Sequence, residues 1–237
     1  MPLQLPPEKC GQQATTEVLP AGTQLWRVHT AQFPVDSFNP VPANAKIGGG
    51  RFDCTEVRRY PYLYASPEQS TALIETVARS IPFHQKLGTR TVRRAMLKPL
   101  RLSALELTRD LRVLRLVDRT ELGKICTDEW LVQTESINYD ITRRWAMWLH
   151  ERDWAEQTGW RGAPAGLLWE SKRDQPRHAV MFFGDRCADA VRAVPDLGFC
   201  LADPDCHDRL AALFADYGLT LNRGGKQPPK KLEHRDC

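Results

Sequence analysis

The chain has 237 residues, 42% of them hydrophobic and 26% charged, and a formal net charge of +4. That length supports one sizeable core, or one domain with extensions, and so mild a positive charge suits a phosphate-bearing ligand without arguing for nucleic acid. Seven cysteines (positions 10, 54, 126, 187, 200, 206 and 237) form no Cys-x-x-Cys, and the nearest approach to a metal cluster, Cys200, Cys206 and His207, lacks paired spacing; the pattern speaks against zinc and for a reducing compartment.

The first residues lack the apolar stretch of a secretory signal. No apolar run approaches the roughly 20 residues that span a bilayer, so the expected location is the cytoplasm. Residues 1–20 are polar and proline-rich and read as a loose arm or a surface strap. Residues 23–28 are a short β-type run. Residues 29–50 carry Pro34, Asn39, Pro40, Pro42 and three successive glycines and read as an irregular loop; a loop that long is usually functional or mobile. Residues 60–65 read as an aromatic strand.

A helix follows, with Ser66 as expected N-cap, Pro67 at the first helical position and Gln69 closing a capping box. Leu73, Ile74, Val77, Ala78 and Ile81 make its apolar face. Residues 95–107 read as a strand interrupted by Pro99, and 111–117 as another apolar run. A strong helix is expected over 139–157, with Ile141, Trp145, Trp148 and Leu149 on one face. Residues 166–169 and 180–183 read as buried strands. Residues 205–216 read as a short helix with Leu210, Leu213 and Phe214 inward. After Gly218 the chain reads as a tail holding Lys226, Lys230, Lys231 and Arg235. Strands at both ends with helices between them argue for a mixed α/β or α+β domain.

Three short stretches could carry chemistry. In Ile47-Gly48-Gly49-Gly50-Arg51-Phe52 the glycines let backbone N–H groups approach a ligand, and the arginine offers a fork for phosphate or carboxylate. The same stretch also reads as a flexible turn with a surface arginine. Glu75, preceded by Tyr64 on the strand, lies off the centre of its helix's apolar face; it is either solvated or presented at the rim of a cleft beside the small Thr71 and Ala72. In Gly166-Leu167-Leu168-Trp169-Glu170-Ser171-Lys172-Arg173 a buried strand ends in a polar burst. Such an end is either a ligand contact or an ordinary junction. Ser171 lies in no Gly-x-Ser-x-Gly elbow and reads as a hydrogen-bonding serine. The six histidines fall in unrelated contexts and read as surface or structural residues.

Taken in order, five phrases resemble the RES-domain family, the toxin half of bacterial toxin–antitoxin pairs. They are Leu25-Trp26-Arg27-Val28; Gly49-Gly50-Arg51-Phe52; Leu63 to Glu68 running into Ala72-Leu73-Ile74-Glu75; Gly166 to Arg173; and Ala179-Val180-Met181-Phe182-Phe183. Two places depart from the family pattern. Arg51-Phe52-Asp53-Cys54 stands where members often have Arg-Trp-Asn followed by glycine, and Trp169-Glu170-Ser171 where many have a Tyr-Pro-Ser-type phrase.

The resemblance implies an α+β fold, a mixed split sheet with flanking helices, related to ADP-ribosyltransferase toxins. It covers about residues 21 to 195 and, set beside the composition of the two ends, divides the chain into an arm over residues 1–20, a catalytic domain over 21–197, and a C-terminal helix and basic tail over 198–237. It implies cleavage of NAD+ at the nicotinamide–ribose bond by water or phosphate, without metal or resident cofactor. Arg51, Glu75 and Ser171 would be catalytic, and Arg27, Gly49, Gly50, Tyr64 and Trp169 would bind substrate. The implied partner is an Xre-type helical DNA-binding antitoxin, with no direct nucleic-acid or membrane binding; an oligomer is compatible with the sequence. Two other readings stay open: an ADP-ribosyltransferase with a macromolecular acceptor, and a non-catalytic binding module.

Overall fold

The computed structural model describes residues 4–10, 13–44, 48–86, 88–154 and 162–222. Among these, a five-stranded sheet is ordered β1 (Thr16–Leu19), β6 (Leu111–Leu116), β7 (Gly166–Glu170), β8 (His178–Phe183) and β3 (Tyr62–Ala65). A three-stranded sheet is ordered β2 (Gln24–Thr30), β5 (Leu100–Leu107) and β9 (Val191–Cys200), and β10 (Leu219–Asn222) pairs with β4 (Arg90–Arg93). Pairing is parallel at β6–β7 and β10–β4 and antiparallel elsewhere. The helices are α1 (Gln69–Val77), α2 (Arg94–Leu97), α3 (Arg119–Lys124), α4 (Trp130–Gln133), α5 (Tyr139–Glu151), α6 (Gly184–Cys187) and α7 (His207–Asp216). The expected mixed α+β architecture with split sheets and flanking helices is what forms. None of these helices is long and apolar enough to cross a membrane.

β7 is buried on both faces, which is why it reads as a near-continuous apolar run. Leu167 and Trp169 turn toward Trp145 and Leu149 of α5, while Leu168 turns toward Leu25, Leu105 and Val191 of the three-stranded sheet. A third core joins Leu73, Ile74 and Val77 of α1 to Leu210 and Phe214 of α7 and to Leu219 and Leu221 of β10. The edge strands β2 and β3 share a core through Leu25, Leu63 and Ala65, and just past β3 an isolated bridge joins Trp26 to Ser66. Beside that bridge the sheets part, and α1 crosses the opening.

Several elements differ from the sequence reading. The N-terminal segment is a strap rather than a loose arm: β1 adds an edge to β6, the Trp145 indole donates to the Gln4 carbonyl at 2.8 Å, and Cys10 is buried. Ser66 stands ahead of α1 rather than capping it: its backbone is paired with Trp26, and its hydroxyl donates to the His178 carbonyl at 2.8 Å and accepts from Glu68 N–H at 3.1 Å, one residue short of the helix. The helix starts at Gln69 with Glu68 as an N-cap that makes no side-chain bond, and Gln69 accepts from Arg209 instead of closing a box. Residues 94–97 form a helical turn that buries Leu97, so the strand begins only after Pro99. α5 ends at Glu151 with Arg152 in an extended conformation; residues 155–161, which the expected helix entered, lie outside the described residues. Beyond Gly218 the chain is a strand, held by the burial of Leu219 and Leu221. The basic tail, Cys237 and Ile47 also lie outside the described residues.

At the end of α5, His150 stacks on Tyr60 at 4.7 Å, and its Nε2 lies 3.0 Å from Asp185. Burial, and then Arg186, push its pKa down to about 4, against the pull of Asp185. A histidine with a lowered folded pKa favours the unfolded state once protons compete. Its contribution is full above 6.5 and is lost as pH falls toward 4. Folding stability is expected to drop by about 2 kcal/mol between about pH 6.5 and 4.5 through this group. Urea melts at the two pH values check this, and His150→Phe should flatten the difference.

Candidate active site

The opening between the sheets is a cleft of about 380 Å³, within the range of small-molecule sites. Arg27 of β2, Tyr64 of β3, Glu75 of α1, Trp169 of β7, and Gly49, Gly50 and Arg51 of the glycine loop all line it. Seven of the eight residues picked from the sequence therefore meet around one space. The eighth, Ser171, is fully buried and stands behind Glu75.

Ser171 Oγ donates to Glu75 Oε1 at 2.5 Å and accepts from the backbone N–H groups of Arg173 and Asp174 at 3.2 and 3.1 Å. Two donors polarise a hydroxyl that in turn donates to the carboxylate, so each bond strengthens the next. Ser171 thus holds Glu75 rather than reaching a ligand itself. The loop that carries it is pinned by Asp174, which is 3% exposed. Its carboxylate accepts from Thr71 and Ser70 of α1, at 2.6 and 3.1 Å, and from Arg177 and Tyr217, both at 2.6 Å. Burial alone would raise the Asp174 pKa, but the hydrogen bonds from Thr71, Tyr217, Arg177 and Ser70 outweigh it and hold the group below the usual value.

Arg51 is 7% exposed. Its Nη1 donates to the Leu131 and Thr134 carbonyls at 3.1 and 3.2 Å, and its guanidinium lies 4.9 Å from the centre of the Tyr139 ring. Burial lowers its pKa against the opposing pull of Tyr139, Glu75 and Tyr64. Arg27 donates through Nη1 to the Val35 and Ser37 carbonyls at 2.6 and 2.7 Å, and burial brings its pKa down to about 10 despite Asp36. Both arginines keep their charge at neutral pH.

The glycine loop does not present Gly50 N–H to a ligand, as the sequence suggested. That N–H donates to Asp53 Oδ2 at 2.6 Å. The carbonyls of Gly48 and Gly50 accept from Arg143, and that of Gly49 from Arg79 at 2.9 Å. Glycine is required at 50 for space: an added Cβ would lie 2.4 Å from Asp53 Oδ1 and 2.6 Å from the Tyr64 hydroxyl oxygen. Tyr64 is equally committed. Its hydroxyl donates to Asp53 Oδ1 at 2.8 Å and accepts from Phe52 N–H at 2.9 Å. Burial, and then the Asp53 carboxylate, push the phenol pKa well up. Its ring meets Trp169 edge to face at 6.1 Å. Glu170 alternates to the other face of β7 and does not line the cleft, so this departure from the family pattern leaves the lining unchanged.

Tyr139 and Arg79 also line the cleft, and Arg143 and Asp174 support it; the sequence reading singled out none of the four. Tyr139 and Arg143 are four residues apart on α5, hence on one helix face, and that spacing was a readable signal. Among the described residues, no group of three His, Cys, Asp or Glu side chains is placed to hold a metal ion.

No curated protein matches this sequence. The fold is similar to a chain in the crystal structure of the M. tuberculosis MbcT–MbcA toxin–antitoxin complex, with a TM-score of 0.54 and 16% identity, over 82% of this chain and 92% of that one. The sequence itself matches the RES domain model over residues 24–204, a span that runs from β2 through β9 and contains every residue of the cleft, and the chain belongs to the RES-domain family.

Proposed function

We propose that this protein degrades NAD+ by breaking the bond between the nicotinamide nitrogen and the ribose C1′, as the toxin of a toxin–antitoxin pair. The observation that carries the reading is a carboxylate, Glu75, fixed by a buried serine in a cleft also lined by Arg27, Arg51 and Arg79. NAD+ needs both kinds of group. The arginines suit its pyrophosphate, and the carboxylate suits the positive charge that builds on the ribose as the bond opens.

As the C–N bond breaks, its electron pair goes to the ring nitrogen, and nicotinamide leaves neutral. The ribosyl carbon becomes oxocarbenium-like beside Glu75. Water or phosphate then adds at C1′; with water, one proton passes to solvent. Ser171 is a positioning residue, leaving the second Glu75 oxygen for the ribose. Tyr64 has no hydroxyl hydrogen to spare, so it offers its ring face, and Trp169 walls the same side. The split sheets around a central cleft support kinship with ADP-ribosyltransferase toxins. The likeness to a chain of a toxin–antitoxin complex supports an antitoxin as partner; the proposal takes it to be a helical, DNA-binding antitoxin of Xre type that acts in the cytoplasm on a catalytic domain of residues 21–197.

The test is direct. Purified protein incubated with NAD+ should release free nicotinamide, with ADP-ribose as co-product in phosphate-free buffer, or its 1″-phosphate where phosphate is the acceptor. Intact NAD+ after prolonged incubation at micromolar enzyme would overturn the reading.

A further inference from the structure

One carboxylate at the cleft has no part in the chemistry above. Asp53 is 3% exposed and lines the cleft, yet it accepts from neutral donors: Gly50 N–H at Oδ2, 2.6 Å, and the Tyr64 hydroxyl at Oδ1, 2.8 Å. Among the described residues it forms no ion pair. Arg143, packed under the same loop, gives its N–H groups to the carbonyls of Asn44, Gly48 and Gly50. A buried carboxylate is costly to desolvate, so neutral donors alone, these two with the Tyr62 phenol nearby, are a poor return unless they fix something needed.

What they fix is the orientation of two groups facing the cleft. Both oxygens of Asp53 accept: the Tyr64 hydroxyl donates to one of them, which leaves the phenol oxygen to accept Phe52 N–H at 2.9 Å. The other oxygen holds the Gly50 N–H, so that donor is spent on the carboxylate. Phe52 adjoins Arg51, so one carboxylate sets both the turn that aims the arginine and the tilt of the aromatic ring opposite. The tight approach at Gly50, where a Cβ would touch both Asp53 and Tyr64, shows the three groups packed as one unit.

We propose that Asp53 is a positioning residue that acts through Tyr64 and the glycine loop to shape the face receiving the nicotinamide half of the dinucleotide. The proposal rests on the NAD+ reading. It assigns Asp53 to substrate seating and leaves bond breaking to Glu75. An amide at 53 cannot replace the carboxylate: its NH2 must meet either Gly50 N–H, donor against donor, or the Tyr64 hydroxyl, which would then have to turn its hydrogen elsewhere.

The test is a double-mutant cycle on Asp53→Asn and Tyr64→Phe, read as KM and kcat for nicotinamide release. Each single change is expected to raise KM by about tenfold with kcat within about threefold. The double variant should be no worse than the poorer single one, because both remove the same contact. Multiplying KM effects, or losses confined to kcat, overturn the proposal. If Asp53→Asn fails to fold, Tyr64→Phe alone decides, and an unchanged KM there is fatal. A second readout needs no turnover: in urea melts the two substitutions together should cost clearly less than the sum of their separate losses, because both remove the Asp53–Tyr64 hydrogen bond. That coupling tests the Asp53–Tyr64 link even should NAD+ prove not to be the substrate; additive losses overturn the link itself.

Discussion

Glu75→Gln is expected to cut nicotinamide release by about 10³-fold, the scale of removing one electrostatic stabiliser of a transition state, while leaving the fold intact. Glutamine keeps the length and an oxygen for the Ser171 hydroxyl at 2.5 Å, so the local packing need not move. Only the charge facing the ribosyl cation is lost. NAD+ affinity should change by a few-fold at most, because the arginines proposed to hold the pyrophosphate are untouched. Chromatographic assay of nicotinamide, together with a melting curve, checks both halves. A variant that turns over at the parent rate removes Glu75 from the mechanism.

Arg51→Ala should hurt twice. The guanidinium bonds the Leu131 and Thr134 carbonyls and lies against the Tyr139 ring. Without it two buried acceptors go unpaired, at about 3 kcal/mol in all, which lowers Tm by roughly 10 °C in a chain of this size. Turnover should fall by about 10²-fold or more, from loss of a phosphate fork and of the support for α4. Arg51→Lys separates the two effects: it restores the charge but not the planar fork. Calorimetry and the nicotinamide assay should show stability recovering further than activity.

Much of the fold was legible because it rests on local pattern. β7 and β8 are apolar runs between turns, and α1 and α5 carry helical periodicity. The failures occur where a distant partner overrides a local preference. Ser66 has every mark of an N-cap, but pairing with Trp26 ties its backbone to the strand side, and the helix begins three residues later at Gln69. Leu219 and Leu221 are too few to announce a strand, and only β4, far back in the chain, makes them one.

The site divides in the same way. Arg27, Arg51, Tyr64, Glu75 and Trp169 sit in ordered phrases, and the fold brings all five to one cleft. Ser171 reads locally as a hydrogen-bonding serine with no partner named, because nothing local reveals that α1 lays Glu75 over it. Asp53 was visible only as a departure from the family pattern, and Asp174 and Tyr217 not at all: their partners lie 103 and 43 positions away in sequence.

Asp174 has a consequence for how activity begins. It ties the serine loop both to α1 and to Tyr217, and Tyr217 leaves the ribosome after every residue that lines the cleft. Domains fold as the chain is made, N-terminal parts first. A growing chain can therefore gather arginines, glutamate and serine while still lacking the hydroxyl that completes their support. The last clamp closes only after every residue of the cleft has been made, so the site is gathered first and braced afterwards.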